Sequence, residues 1–155
     1  MKISKYFLFI VPIVYVLFGC YFQQMTGLYS LRSIDPEYIY FISGLSVANG
    51  HLELGHIDNP GTPLQFFVAL SFRLIYLFRS HQSPFIEDAL THSDFYLTVT
   101  NLMLIFLIGA FLYFAGTKAF KISRHTAFGI LIQTVPFYTY IFYGNIGRVT
   151  PENLI

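Results

Sequence analysis

From Phe95 to Gly116 the chain carries no charged side chain, and Lys118, Lys121 and Arg124 follow almost at once. An apolar run of this kind dictates a helix in hydrocarbon, since about 20 such residues span a bilayer core. Tyr6–Phe22 is a second such run; with part of 23–29 it gives a span over about residues 6–26, and neighbouring helices can accommodate its Pro12. Thr126–Tyr143 is a third, shorter run with Gln133 and Pro136 inside it. Composition agrees: 55% of residues are hydrophobic and 11% charged, against a usual quarter charged. A soluble domain of this size has no core large enough to hide so much apolar surface. The expected fold class is therefore all-α: a polytopic membrane bundle of about three transmembrane helices, with interfacial helices in a long first external loop, the whole of 1–155 forming one membrane module.

Pro63–Phe78 is the segment that decides the topology. It is apolar but short, and Arg73 sits at its middle. A central arginine costs about 2.5–3.5 kcal/mol on insertion scales, whereas an interfacial helix lets its arginines snorkel. Basic residues favour the cytoplasm. With three spans, Lys2, Lys5, Lys118, Lys121 and Arg124 all fall there, and residues 27–94 form one external loop with an interfacial helix over 63–78. A fourth span would put the Lys118–Arg124 cluster outside. The loop carries its own helix signals. Ser33 or Asp35 can cap a helix that starts at Pro36, and Tyr38, Ile39, Phe41, Ile42, Leu45 and Val47 form its apolar stripe up to Asn49-Gly50. Gly55–Pro63 is a turn-rich connector, Thr62 can cap the next helix, and a short helix fits Phe85–Leu90.

All eight acidic residues fall on the external side of this topology, and none lies inside a span. Asp35 lies near the end of the first span and Glu152 follows the third, so both approach one membrane face. Two such carboxylates can take a proton from a nucleophile or hold a cation; each can equally serve a helix start. Among the external cations Arg148 is best placed for an anionic head group, because a guanidinium makes forked contacts with phosphate. His51, His56 and Asp58 suit a divalent metal in residue type, but their spacing fits no metal motif, and no cofactor is expected. The net charge of +1 and the lack of a basic run exclude a nucleic-acid partner. No nucleophile-elbow, P-loop or dinucleotide fingerprint is present. Cys20, the single cysteine, precludes an internal disulfide. Its context, Leu17-Phe18-Gly19-Cys20, approaches a lipoprotein signal, though Phe18 is bulky for one, and the alternative is a lipid-facing cysteine in an anchor helix.

Three stretches carry a resemblance: "DPEYIYFISGLSVANGH" (35–51), "DNPGTPLQFF" (58–67) and "YGNIGRVTPENLI" (143–155). A cytoplasmic N-terminus, one span, an external loop opening D-x-x-Y, a proline-bearing segment before an interfacial helix, a cytoplasmic basic turn and a third span leading to R-x-x-x-E resemble the N-terminal part of the GT-C integral-membrane glycosyltransferases. That group includes the protein O-mannosyltransferases and the lipid A aminoarabinose transferases. The resemblance implies a polyprenyl-phosphate-linked sugar as donor and transfer to an acceptor on the external face of a bacterial inner membrane. It gives Asp35 the role of catalytic base or acceptor-orienting acid, and Glu152 that of the second acid, where many members carry aspartate. Arg148 would hold the donor phosphate, Glu37 would be an accessory acid, and His56 and Asp58 would line the acceptor side. Such enzymes have about seven or more spans, so the resemblance also implies partner helices from a further C-terminal part and no transfer by this module alone. Two readings from other classes stay open. In one, the chain is a small non-catalytic multi-pass assembly subunit whose Phe- and Tyr-rich faces meet other helices. In the other it is a transporter fragment, against which the uncharged spans count.

Overall fold

The computed structural model describes residues 5–25, 27–29, 35–51, 62–79, 83–138 and 148–149, and every element among them is helical. A 3-10 turn at Lys5–Phe9 runs into α1 (Ile10–Met25). Then come α2 (Asp35–Ala48), α3 (Thr62–Phe78), α4 (Phe85–Thr91), α5 (Ser93–Ser123) and α6 (Thr126–Thr134), the last continued by a 3-10 turn at Val135–Tyr138. Two helices are long and apolar enough to cross a membrane, Lys5–Met25 and Ser93–Ser123, while Thr62–Phe78 and Thr126–Phe137 are shorter apolar helices. α5 outruns its apolar stretch at both ends, taking in Asp94 at the start and Lys118 and Lys121 at the finish. The local punctuation acts where the sequence places it. Gly50, at φ 91°, ends α2, with the His51 N–H donating to the Ser46 carbonyl at 3.0 Å.

α1 and α5 pack antiparallel along a seam of small residues. Gln23 meets Asn101, Gly19 lies under Ile105, Gly109 lies under Val16, and the Phe9 ring stacks on Tyr113 with centroids 4.4 Å apart. A Cβ on Gly19 would fall 2.8 Å from the Ile105 side chain, and one on Gly109 would fall 2.7 Å from Val16. The seam is therefore closed to any larger residue without a shift of the backbones. α6 folds back on α5 through Arg124, whose left-handed backbone (φ 61°) caps α5. The connection between them is held by Gln133, which is fully buried. Its amide donates to the Leu8 carbonyl at 2.9 Å and to the Leu112 carbonyl at 3.1 Å. Pro12 has no N–H to offer the carbonyl four residues before it, which is that of Leu8, so α6 supplies the donor that α1 lacks. Gly116 makes the room: a Cβ there would run into the Gln133 side chain.

This arrangement sorts charge by end. Lys5 lies at the same end of the α1–α5–α6 bundle as Lys118, Lys121 and Arg124. At the other end gather α2, α3 and α4. Val68 of α3 fills the space above Gly44 of α2, the Phe41 and Phe72 rings lie 5.0 Å apart, and Phe72 meets the edge of Tyr96 on α5 at 5.3 Å. Arg73, exposed on α3, also makes contacts to both neighbouring helices. Its Nε and Nη2 donate to the Ala48 carbonyl at 2.8 and 2.6 Å, capping α2, and its guanidinium lies 4.2 Å over the Phe85 ring of α4.

The core is apolar, but it also takes in uncharged polar side chains, and many large apolar ones face outward. Gln23, Gln65, Thr100, Asn101 and Gln133 lie inside, while large apolar side chains such as Leu17, Phe106, Phe111 (65% exposed) and Ile122 (80% exposed) point outward.

Candidate functional site

Glu37 stands in the first turn of α2 and is 2% exposed. Arg148 reaches it from beyond α6 across 111 positions of sequence, its Nε donating to Glu37 Oε1 at 3.3 Å. The arginine side chain keeps 22% of its surface exposed, so the pair has a buried acidic half and a wetter basic half. Val149, next in sequence, is fully buried in the same apolar core as Tyr40 and Phe41 of α2. That anchorage fixes where the guanidinium starts from. Two of the expected site residues are thus brought into direct contact. Asp35 opens α2 two positions before Glu37, at the end where the helix dipole favours a carboxylate; its side chain, together with His56, Asp58 and Glu152, lies outside the described residues.

A second polar cluster sits where α3, α4 and α5 meet. Asp88, in the first turn of α4, is 4% exposed. Tyr96 donates its hydroxyl to Asp88 Oδ2 at 2.7 Å, Arg79 donates from Nη1 to the same oxygen at 3.2 Å, and His92 Nδ1 lies 3.3 Å from Oδ1. A buried carboxylate needs this many partners, because desolvation of the charge outweighs any single contact. The sequence reading did not single out this cluster, yet its signal is present: Asp88, His92 and Tyr96 recur at four-residue spacing and so share one helical face. Between α1 and α5, Gln23 Oε1 accepts from Tyr29 at 2.9 Å and from Asn101.

Comparison with protein families, with curated proteins and with solved structures finds no match. The chemistry is therefore read from the geometry. Among the described residues no group of three or more His, Cys, Asp or Glu side chains could hold a metal ion. In the Glu37–Arg148 pair Nε is held by Glu37 and Nη2 is buried, while the arginine side chain as a whole keeps 22% of its surface exposed next to the helix end that bears Asp35. Such a pair places a cation beside the acid-bearing end of α2, where forked contacts with an oxyanion are the chemistry a guanidinium supports. The Asp88 cluster holds His92 by Nδ1, with the backbone carbonyl of Asp88 also 3.0 Å from that nitrogen, and leaves the ring edge bearing Nε2 outward.

Proposed function

We propose that the chain is a multi-pass membrane module of a bacterial inner membrane, with its N-terminus in the cytoplasm, and that it forms the acid-bearing N-terminal part of a polyprenyl-phosphate-dependent glycosyltransferase of the GT-C kind. The gathering of Lys5, Lys118, Lys121 and Arg124 at one end of the helical bundle supports that orientation, because basic ends stay in the cytoplasm. α6 would be the third span, and α2, α3 and α4 would rest on the external surface. The observation that carries the transferase reading is the Glu37–Arg148 contact, which joins the segment after α6 to the helix that opens with Asp35.

In this reading the acceptor hydroxyl gives its proton to the Asp35 carboxylate as its oxygen bonds to the anomeric carbon. The bond from that carbon to the phosphate oxygen breaks, and its electron pair leaves on the polyprenyl phosphate. Arg148 faces the charge that accumulates there, and Glu37 fixes the guanidinium's position. Glu152 would orient the acceptor. In membranes containing the chain and the helices that complete its site, Asp35→Asn is expected to abolish sugar transfer from the lipid donor with expression unchanged. Arg148→Gln is expected to slow transfer by about a hundredfold or more, as for the loss of one charge-stabilising donor. Unchanged turnover in Asp35→Asn removes that residue from the site.

The mutual pairing of Glu37 and Arg148 favours one competing reading, a non-catalytic assembly subunit in which the pair is purely architectural. The charge-exchanged double variant Glu37→Arg with Arg148→Glu separates the two. An architectural pair tolerates the exchange, whereas a phosphate-facing arginine does not.

A further inference from the structure

A groove of about 510 Å³ runs between α3 and α5, away from the Glu37–Arg148 pair. Leu74, Ile75 and Phe78 form one wall; Phe95, Val99 and Met103 form the other. Among the described residues the one charged side chain lining it is Arg79, whose guanidinium lies 5.3 Å over the Phe95 ring. The volume falls within the roughly 300–1,000 Å³ of small-molecule sites, and the walls offer a ligand nothing but apolar contact. An occupant must therefore be an apolar chain with one anionic end.

At that end the cation is the more exposed member of an ion pair. Arg79 pairs with Asp88 at 3.2 Å, but the Asp88 side chain is 5% exposed and is shared with Tyr96 and His92, whereas the Arg79 side chain is 26% exposed. The carboxylate sits behind the guanidinium, so an approaching head group meets the cation first. We propose that this groove holds an acyl chain of an anionic phospholipid from the surrounding bilayer, with the lipid phosphate against Arg79. The inference rests on the membrane placement proposed above and on no step of the transferase chemistry. A bound lipid would brace α3 against α5 at the corner where the external helices meet the bundle.

The test is native mass spectrometry of the full chain in detergent with phosphatidylglycerol, phosphatidylcholine of identical acyl chains, and a polyprenyl phosphate. Phosphatidylglycerol is expected to bind about tenfold more tightly than phosphatidylcholine, whose choline ammonium offsets its phosphate charge and is repelled by Arg79. Arg79→Gln should erase that preference, and Asp88→Asn, which removes the opposing charge, should increase it. Val99→Trp, which fills the groove, should abolish binding of both phospholipids. Phe78→Ala should weaken both without touching the core, because Phe78 is 85% exposed. Equal binding of the two phospholipids by the parent chain overturns the proposal, and so does unchanged binding in both Val99→Trp and Phe78→Ala. Tighter binding of the polyprenyl phosphate overturns it as well, by naming a different occupant. Alkaline carbonate extraction keeps the two readings apart: a chain released from membranes refutes the membrane placement itself, while a retained chain that binds no phosphatidylglycerol refutes only the lipid site.

Discussion

Replacing Gln133 by leucine tests whether α6 repairs the backbone defect that Pro12 leaves in the N-terminal helix. Leucine nearly conserves volume, so the perturbation is chemical and not a cavity. It removes the donors to the Leu8 and Leu112 carbonyls. Interhelical hydrogen bonds inside membrane proteins average about 0.6 kcal/mol, so losing two costs roughly 1.2 kcal/mol. The two carbonyls do not suffer equally. The Leu112 carbonyl lies inside α5 and can accept from the Gly116 N–H, but that of Leu8 faces a proline, and leaving such a group buried without its donor costs about 1–3 kcal/mol. One term runs the other way, since Gln133 Oε1 is itself buried with no hydrogen-bond partner among the described residues and leucine removes it. The expected net loss is about 1–2 kcal/mol.

The decisive measurement is a double-mutant cycle with Pro12→Ala. Alanine restores an N–H four residues after Leu8, so its carbonyl no longer depends on α6. Gln133→Leu should then cost about 1 kcal/mol less in the Pro12→Ala background than in the parent chain. Unfolding by sodium dodecyl sulfate in mixed micelles, followed by far-ultraviolet circular dichroism, supplies the four free energies. Equal costs of Gln133→Leu in both backgrounds would falsify the argument, and Gln133 would then be a filler of space over Gly116.

Three further outcomes follow from the same contacts. Gly109→Leu drives a side chain into Val16 across the α1–α5 seam and should destabilise the fold by about 1–3 kcal/mol in the same assay; a smaller loss would mean the helices stand farther apart. Arg73→Met keeps much of the side-chain length but removes the cap on α2, so amide exchange at His51 and in the last turn of α2 should accelerate at least tenfold while α5 is unaffected, as expected for roughly 1.5–3 kcal/mol in a charged hydrogen bond. In a Cys20→Ser background, a cysteine at Glu87 should react with an impermeant maleimide from outside intact cells and one at Ser123 only after the cells are opened; the reverse pattern would invert the topology.

Helix ends were legible in the sequence because their causes are local. Pro36 near the start of α2, Asn49-Gly50 at its end and Thr62 at the head of α3 act within one turn, and the helices begin and stop beside them. The reach of α5 through Lys118 and Lys121 was not read, because a hydropathy boundary marks where apolar residues stop and a helix continues until something caps it, here Arg124. Contacts remote in sequence were the least legible. Glu37 and Arg148 were each visible as candidates, but nothing in either neighbourhood specifies that they meet. Asp88 was counted only among the external acids because a short helix at Phe85–Leu90 does not by itself tell which residues its carboxylate meets; its spacing to His92 and Tyr96 was the available signal.

Arg73 shows why the two kinds of information differ. In the sequence its charge counts against a span, beside the placement of the basic residues. In the fold the charge is directed to the Ala48 carbonyl and to the Phe85 ring, so the same residue ties α2 and α4 to α3. One guanidinium thus ties the end of α2, the helix that opens with Asp35, to α3 and to α4.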